Sequence, residues 1–128
     1  MFSGLKICIV ADEQNDKELI LLNEVKDALK KDMLCKSVIT YTNLKQNTMN
    51  ISKTKPDIYL FITDNYKEFE EYFEKLKRPI NTVLITENLH TTFIQESVNI
   101  SKEIIYAKLK TQEIIFRLER FLKQENIA

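Results

Sequence analysis

Hydrophobic residues occur along this chain in two alternating patterns, short runs dominated by apolar residues and longer stretches with helical spacing. The short runs cover residues 5–11, 37–42, 58–62, 82–86 and 103–107, and the run 58–62 is unbroken. Runs of this kind are typical of strands buried on both faces of a parallel sheet. The run 58–62, which follows Pro56 and ends before Thr63, is predicted to be the central strand.

Between these runs, apolar residues recur at the spacing of amphipathic helices. We expect a first helix after Asn15, with Asn15 as its cap and Glu18 as the capping-box acid. A helix capped by Asp64 or Asn65 and stopped by Pro79 follows the central strand. The last helix is expected to be capped by Thr111. The predicted buried faces are Leu22, Val25, Ala28 and Leu29, then Phe69, Tyr72, Phe73 and Leu76, and finally Ile114, Ile115, Leu118, Phe121 and Leu122.

Two polar segments are less periodic. Residues 43–54 allow a short helix with Leu44, Thr48 and Ile51 on one face, and residues 87–102 allow another around Phe93, Ile94 and Val98. Five alternating strand–helix units predict a (βα)5 doubly wound parallel sheet of order 2-1-3-4-5, as in flavodoxin-like folds. Residues 1–128 would form a single domain. Ligands of such sheets bind where the strand order reverses, here between the ends of strands 1 and 3.

Composition excludes several classes of protein. The chain has 19 basic and 19 acidic residues, which argues against a general nucleic-acid or membrane-surface binder. No apolar run is long enough to span a bilayer, and the first residues lack the layout of a secretory signal. Gly4 is the single glycine, so glycine-rich phosphate loops are excluded, and His90 is the single histidine, so a multi-histidine metal site is excluded.

The cysteine positions favour reduced thiols. Cys8 lies inside an apolar strand and is far in sequence from Cys35, so a buried thiol is expected rather than a disulfide or a nucleophile. Together with the absence of a signal segment, this pattern predicts a cytoplasmic protein without a membrane partner.

The order of the motifs resembles the receiver domain of two-component response regulators. I-V-A-D-E at 9–13 is similar to the family's acidic pair after strand 1, and P-D-I-Y-L-F at 56–61 to the lead-in to its phosphorylated aspartate. V-L-I-T at 83–86 is similar to the fourth strand with its terminal hydroxyl. Tyr106-Ala107-Lys108 and the segment 113–122 resemble the ending of the OmpR/PhoB class. The resemblance implies a CheY-like fold over the whole chain.

The departures from this family concern its reacting group. The phospho-acceptor position falls on Ile62, which offers no nucleophile, and Asp64 is the nearest carboxylate. The proline expected after Lys108 is Leu109, and the family's switch aromatic falls on Ile105. The loop after the central strand is shorter than in the family and lacks its Met-Pro turn and its glycine.

In the family, phosphoryl transfer needs an aspartate, Mg²⁺ held by acids, a hydroxyl and a lysine. The resemblance implies that Asp12 and Glu13 are the Mg²⁺ ligands, Thr86 the hydroxyl and Lys108 the ammonium. With Ile62 at the centre, these residues would be a vestigial acidic pocket without catalytic residues. We therefore expect a pseudo-receiver that is not an enzyme and holds no cofactor, with Mg²⁺ only if Asp64 replaces the missing aspartate.

Several of these residues also have a purely structural interpretation. Asp12 and Glu13 can be a solvated acid pair next to a helix N-terminus, which favours anions. Asp64 can be the N-cap of the helix that follows it, the interpretation we favour over a displaced phospho-acceptor. Lys108 is expected to form an ion pair with Asp12, Glu13 or Asp64.

The last helix carries the candidate dimer interface, Glu113, Arg117 and Arg120, with Glu119 nearby. In the OmpR/PhoB class these positions lie on a face made of helix 4, strand 5 and helix 5, which is used for dimerisation. The acidic partner of Arg117 across that interface falls on Ile104, although Glu103 is adjacent. A surface ion pair between Glu113 and Arg117 is the simpler interpretation.

The resulting hypothesis is a phosphorylation-independent regulatory domain that forms a homodimer, as part of a transcriptional regulator. DNA would be contacted only through another domain, and a histidine kinase or another protein is a possible partner. The alternatives are a working phospho-acceptor that uses Asp64 and a stand-alone protein-binding adaptor.

Overall fold

The computed structural model describes residues 4–32, 35, 37–43, 51 and 55–127, which form a five-stranded sheet with helices on both faces. The strands are β1 (Lys6–Val10), β2 (Ser37–Tyr41), β3 (Ile58–Ile62), β4 (Thr82–Thr86) and β5 (Glu103–Tyr106). The helices are α1 (Asp16–Asp32), α2 (Tyr66–Lys75), α3 (Thr91–Ser97) and α4 (Thr111–Gln124).

All neighbouring strands pair in parallel, and their order is β2-β1-β3-β4-β5. The predicted fold class and strand order are therefore confirmed. The strand order reverses between β1 and β3, so the carboxyl ends of these two strands border the crevice where ligands of doubly wound sheets bind.

The core consists of two layers, one on each face of the sheet. Alternate strand residues such as Ile9, Leu60 and Ile85 face α1 and α4, whereas their neighbours such as Val10, Phe61 and Leu84 face α2 and α3. This two-sided burial explains why the strands are dominated by apolar residues. Cys8 is fully buried and reduced, and Cys35 is also a free thiol, as predicted. Burial raises the pKa of Cys8 to about 12.

The helical faces agree with the predicted periodicity, with small differences at the ends. The five apolar residues predicted for the last helix are all buried in α4. Thr111 is inside the first turn of α4 rather than its cap, because Lys110 occupies the N-cap position without a side-chain hydrogen bond. The short helix predicted within 43–54 lies almost entirely outside the described residues. Of its apolar positions, Ile51 is described, and it is helical and buried.

The end of α2 is set before Pro79 is reached. Lys77 and Arg78 adopt left-handed backbone conformations with φ of 64° and 54°. The Arg78 N–H donates to the Phe73 carbonyl at 2.9 Å, which satisfies one of the free carbonyls at the helix end. Pro79 then prevents the helix from continuing.

Candidate functional site

Ile62, the residue that the family resemblance aligns with the phospho-acceptor, lies at the carboxyl edge of the sheet. Ile62 is the last residue of β3, is 3% exposed and belongs to the core layer that faces α1 and α4. It pairs in register with Ile85 of β4. An apolar side chain thus occupies the end of the central strand.

Asp64, the nearest carboxylate, is held by the end of β4. Its Oδ1 accepts hydrogen bonds from Thr86 Oγ1 and from the Glu87 N–H, both at 2.7 Å. The side chain of Asn88 donates to the Asp64 carbonyl at 2.9 Å, and the Asn88 N–H donates to Thr86 Oγ1 at 3.0 Å. Asp64 therefore links the loop after β3 to the loop after β4.

The interpretation of Asp64 as a helix cap is wrong, because Asn65 takes that role. Asn65 Oδ1 accepts a hydrogen bond from the Glu68 N–H at 2.9 Å, and the Asn65 N–H donates to Thr63 Oγ1 at 3.1 Å. With the cap supplied by its neighbour, Asp64 is left outside the helix and turns toward β4.

Asp12 and Glu13 lie on a separate surface depression from Asp64. Asp12 Oδ1 accepts a hydrogen bond from the Gln14 N–H at 2.9 Å, and Glu13 Oε1 accepts one from Asn43 Nδ2 at 2.6 Å. Their depression is lined by residues of the β1–α1 loop, the end of β2 and the start of α2, whereas Asp64 lines a cavity beside α1.

This arrangement does not fit the Mg²⁺ site that the family resemblance implies. In the described part of the chain, no three acidic, histidine or cysteine side chains converge in a geometry that can hold a metal ion. One carboxylate oxygen each of Asp12 and Glu13 is engaged by a protein donor, and Asp64 is directed to β4.

Lys108 does not form the predicted ion pair. It lies exposed in the turn that follows β5, and within the described ranges it has no ion pair with Asp12, Glu13 or Asp64. Lys17 of α1 is the cation at this edge instead, and its Nζ pairs with Glu87 Oε2. The hydrogen bond and the charge of Glu87 raise the pKa of Lys17.

Glu18 joins the loop after β1 to the first turn of α1. Its N–H donates to Asn15 Oδ1 at 3.1 Å, which confirms Asn15 as the cap. The Glu18 carboxyl differs from an ordinary capping box, because Oε1 accepts from the Asp12 N–H at 3.1 Å and Oε2 accepts from Asn15 Nδ2 at 2.9 Å. The side chain thereby holds the whole β1–α1 loop.

Glu18 is also the most strongly perturbed carboxyl at this edge. It is 7% exposed, and burial raises its pKa to about 8, with smaller contributions from the negative charges of Glu68, Asp12 and Asp64. Burial also raises the pKa of Glu68. Glu68 Oε1 is buried and lacks a hydrogen-bond partner among the described residues. Because its own pKa is raised to about 8, Glu18 is mostly protonated at neutral pH.

A cavity of about 160 Å³ lies between α1 and the ends of β3, β4 and β5. Its apolar lining includes Ile62 and Ile85, and its polar lining includes Lys17, Asp64 and Glu87. Ile62 therefore contributes to the lining of a cavity at the carboxyl edge of the sheet.

The predicted dimer residues lie on α4. Glu113 Oε1 and Arg117 Nε form an ion pair of 3.2 Å across one helical turn, and Arg120 is exposed. Phe116, on the same helix, is 58% exposed. Ile104, which the family resemblance aligns with an acidic partner, is half-buried in β5.

Sequence reasoning did not identify Lys17, Glu87 and Asn88 as part of this edge, and it identified Glu18 only as a cap. For Glu18, the one available signal in the sequence was its capping-box spacing from Asn15. Nothing in the local sequence of Lys17 indicates that Glu87 would be its partner.

Comparison with known proteins agrees with this architecture. No family model matches the sequence, and no curated protein matches it. A CpaE2 pilus assembly protein from Sinorhizobium meliloti aligns with 91% of this chain and 98% of its own, with a TM-score of 0.60 and 11% identity. A response regulator of red light signalling in R. palustris aligns with 90% of each chain, with a TM-score of 0.55 and 11% identity.

A fusion protein that contains the trimeric coiled coil of yeast Spc42 also aligns, over 95% of this chain and 80% of its own, with a TM-score of 0.70 and 12% identity. At these identities the similarity shows the fold alone. The chain has a CheY-like α/β fold of the receiver type, similar to that of a response regulator and of a pilus assembly protein. None of the helices in the described ranges is long and apolar enough to cross a membrane.

Proposed function

We propose that this chain is a receiver-like regulatory domain that does not use aspartyl phosphorylation and acts by dimerising, as part of a transcriptional regulator. The observation that carries the proposal is Ile62 at the end of β3, buried where a receiver needs a carboxylate. A buried isoleucine supplies neither an in-line nucleophile nor a metal ligand.

The neighbouring groups support the same proposal. Asp64 Oδ1 is saturated by Thr86 and by the Glu87 N–H, Lys108 is exposed, and Lys17 is neutralised by Glu87. A phosphoryl group needs compensating positive charge, and Lys17, which interacts electrostatically with Asp64, is already paired with Glu87.

The proposed dimer surface consists of α3, β5 and α4, which correspond to the family's helix 4, strand 5 and helix 5. Phe116 of α4 and Val98, at the C-terminal end of α3, are 58% and 56% exposed, so they could supply apolar contact area to a partner. Arg117 and Arg120 would supply charge at the rim, with Ile104 in place of the usual acid.

A second candidate function, a working phospho-acceptor at Asp64, is favoured by one contact. Thr86 donates to Asp64 Oδ1, and a hydroxyl beside the acceptor carboxylate is one of the groups that stabilise an aspartyl phosphate. One carboxylate oxygen each of Asp12 and Glu13 already accepts a hydrogen bond from a protein donor, so these acids do not assist Asp64 in this arrangement.

Intact-mass spectrometry after incubation with acetyl phosphate and Mg²⁺ distinguishes the two candidates. We expect no phosphoryl adduct on the wild-type chain. An adduct that disappears in Asp64→Ala would establish the second candidate. An adduct that persists in Asp64→Ala would place the phosphoryl group on another side chain and would equally overturn the first proposal.

A further inference from the structure

The cavity beside α1 has the size and the lining of a site for a small organic molecule. Ile62 and Ile85 are its buried apolar residues, Leu21 and Ala107 are partly buried, and Ile20 is 60% exposed on the solvent side. Its volume of about 160 Å³ is similar to the cavities of roughly 150 Å³ that hold benzene. One six-membered ring therefore fills the space.

The charged groups around the cavity have a negative excess. Lys17, the one basic residue of the described lining, is neutralised by its ion pair with Glu87. Glu24 and Asp64 also line the cavity, and neither has an ion-pair partner in the ranges that the structure describes. Burial keeps Glu18 mostly protonated, with its pKa at about 8. Two carboxylates thus remain uncompensated.

The charges around the cavity determine whether an anion or a cation binds there more favourably. An anion such as phosphate would approach Glu24 and Asp64, and the one basic residue of the described lining, Lys17, is already paired with Glu87. A cation at the solvent side would gain from both carboxylates, and the attraction is strengthened by the low dielectric of the apolar wall. The N-terminus of α1 offers no compensation, because its cap is already satisfied by Asn15.

We propose that this cavity binds a small organic cation with a compact apolar body and one ammonium group. The apolar body lies against Ile62 and Ile85, and the ammonium group lies on the solvent side near Glu24 and Asp64. The proposal goes beyond the regulatory function proposed above and does not depend on dimerisation, so either can fail alone.

Three probes of similar size test the charge preference: benzylammonium, benzyl alcohol and benzoate, titrated into ¹⁵N-labelled protein and followed by NMR. We expect benzylammonium to shift the amide signals of Lys17, Asp64 and Glu87. Its Kd should be on the order of 10 mM or tighter, since so few atoms contribute only modest free energy. Benzoate should bind at least about tenfold more weakly, a difference of about 1.4 kcal/mol.

Two variants test the location of the site. Ala107→Leu fills the cavity and should abolish the shifts, with folding checked by circular dichroism. Glu24→Gln removes one uncompensated carboxylate and should weaken benzylammonium binding about threefold or more, a loss typical of one charge on an exposed helix. Glu96→Gln is the matched control, because it changes the net charge equally on α3, away from the cavity lining, and should leave the affinity unchanged.

The proposal is overturned if benzoate binds as well as benzylammonium, if none of the probes shifts the amides of the cavity, or if binding survives in Ala107→Leu. If Ala107→Leu does not fold, the comparison of Glu24→Gln with Glu96→Gln decides. Equal weakening of benzylammonium binding in Glu24→Gln and Glu96→Gln would mean a general effect of net charge and would overturn the assigned site.

Discussion

Thr86 Oγ1 donates a hydrogen bond of 2.7 Å to Asp64 Oδ1, and this contact ties the loop after β3 to the end of β4. Thr86 is 1% exposed, whereas Asp64 is exposed. The Glu87 N–H donates to the same oxygen, so Asp64 closes the carboxyl edge of the sheet over the cavity lined by Ile62. The residue that resembles a displaced phospho-acceptor in the sequence thus has a structural role.

Removing the Thr86 hydroxyl should destabilise the domain. Thr86→Val loses the bond to Asp64 and the bond accepted from the Asn88 N–H, so the free energy of unfolding should fall by about 1–2 kcal/mol. Urea denaturation measures this change. Thr86→Ser, which keeps the hydroxyl, is the control and should lose less.

A double-mutant cycle tests whether this loss of stability comes from the hydrogen bond between Thr86 and Asp64. Combining Thr86→Val with Asp64→Ala should give a coupling energy of about 1 kcal/mol, because each single change removes the same hydrogen bond. Additive effects would show that the contact contributes nothing to stability.

Glu18 should make the stability of the protein decrease as the pH rises. Its pKa is raised from 4.5 to about 8 in the folded chain, so the folded state holds this proton more tightly than the unfolded state. The free energy of unfolding should therefore fall from about pH 5 upward and level off above the folded pKa. Urea denaturation at a series of pH values gives this profile.

Glu18→Gln should flatten the profile between those pH values. Glutamine keeps a carbonyl oxygen that can accept from the Asp12 N–H, but its NH2 group cannot accept from Asn15 Nδ2, so the variant should also lose a constant, pH-independent amount of stability. A smaller slope should remain, because burial also raises the pKa of Glu68. Glu70→Gln, on the exposed side of α2, serves as the control and should keep the full slope. An unchanged slope in Glu18→Gln would exclude Glu18 as its source.

Substitution of Phe116 should disrupt the proposed dimer. A charge in place of this exposed aromatic on α4 would be desolvated in an apolar interface, so Phe116→Glu should be a monomer. Light scattering coupled to size-exclusion chromatography measures the mass. Ile80→Glu is the control, since Ile80 is 77% exposed and lies in the loop before β4.

The wild-type mass in the same experiment decides between dimer and adaptor. A monomeric wild-type chain at all concentrations would contradict the dimer and favour the stand-alone adaptor. A dimer that survives Phe116→Glu but not Ile80→Glu would place the interface elsewhere.

The elements of the fold are encoded locally. The runs predicted at 58–62 and 82–86 are the observed β3 and β4, and the five apolar residues predicted for α4 are buried as a set. Strand and helix periods appear within a few neighbouring residues, because side-chain direction repeats every two or 3.6 positions. Alternation of these elements then restricts the topology, since crossover connections are right-handed.

The carboxyl edge of the sheet is set by contacts between distant segments. The sequence by itself determined the strand order and that Ile62 ends the central strand. Only the tertiary structure decided that Asp64 bonds Thr86, 22 residues away, that Lys17 rather than Lys108 is the paired cation, and that Glu18 is buried. Such partners depend on how loops from separate strands meet. A hydrogen bond or an ion pair of this kind leaves no periodic pattern in either segment.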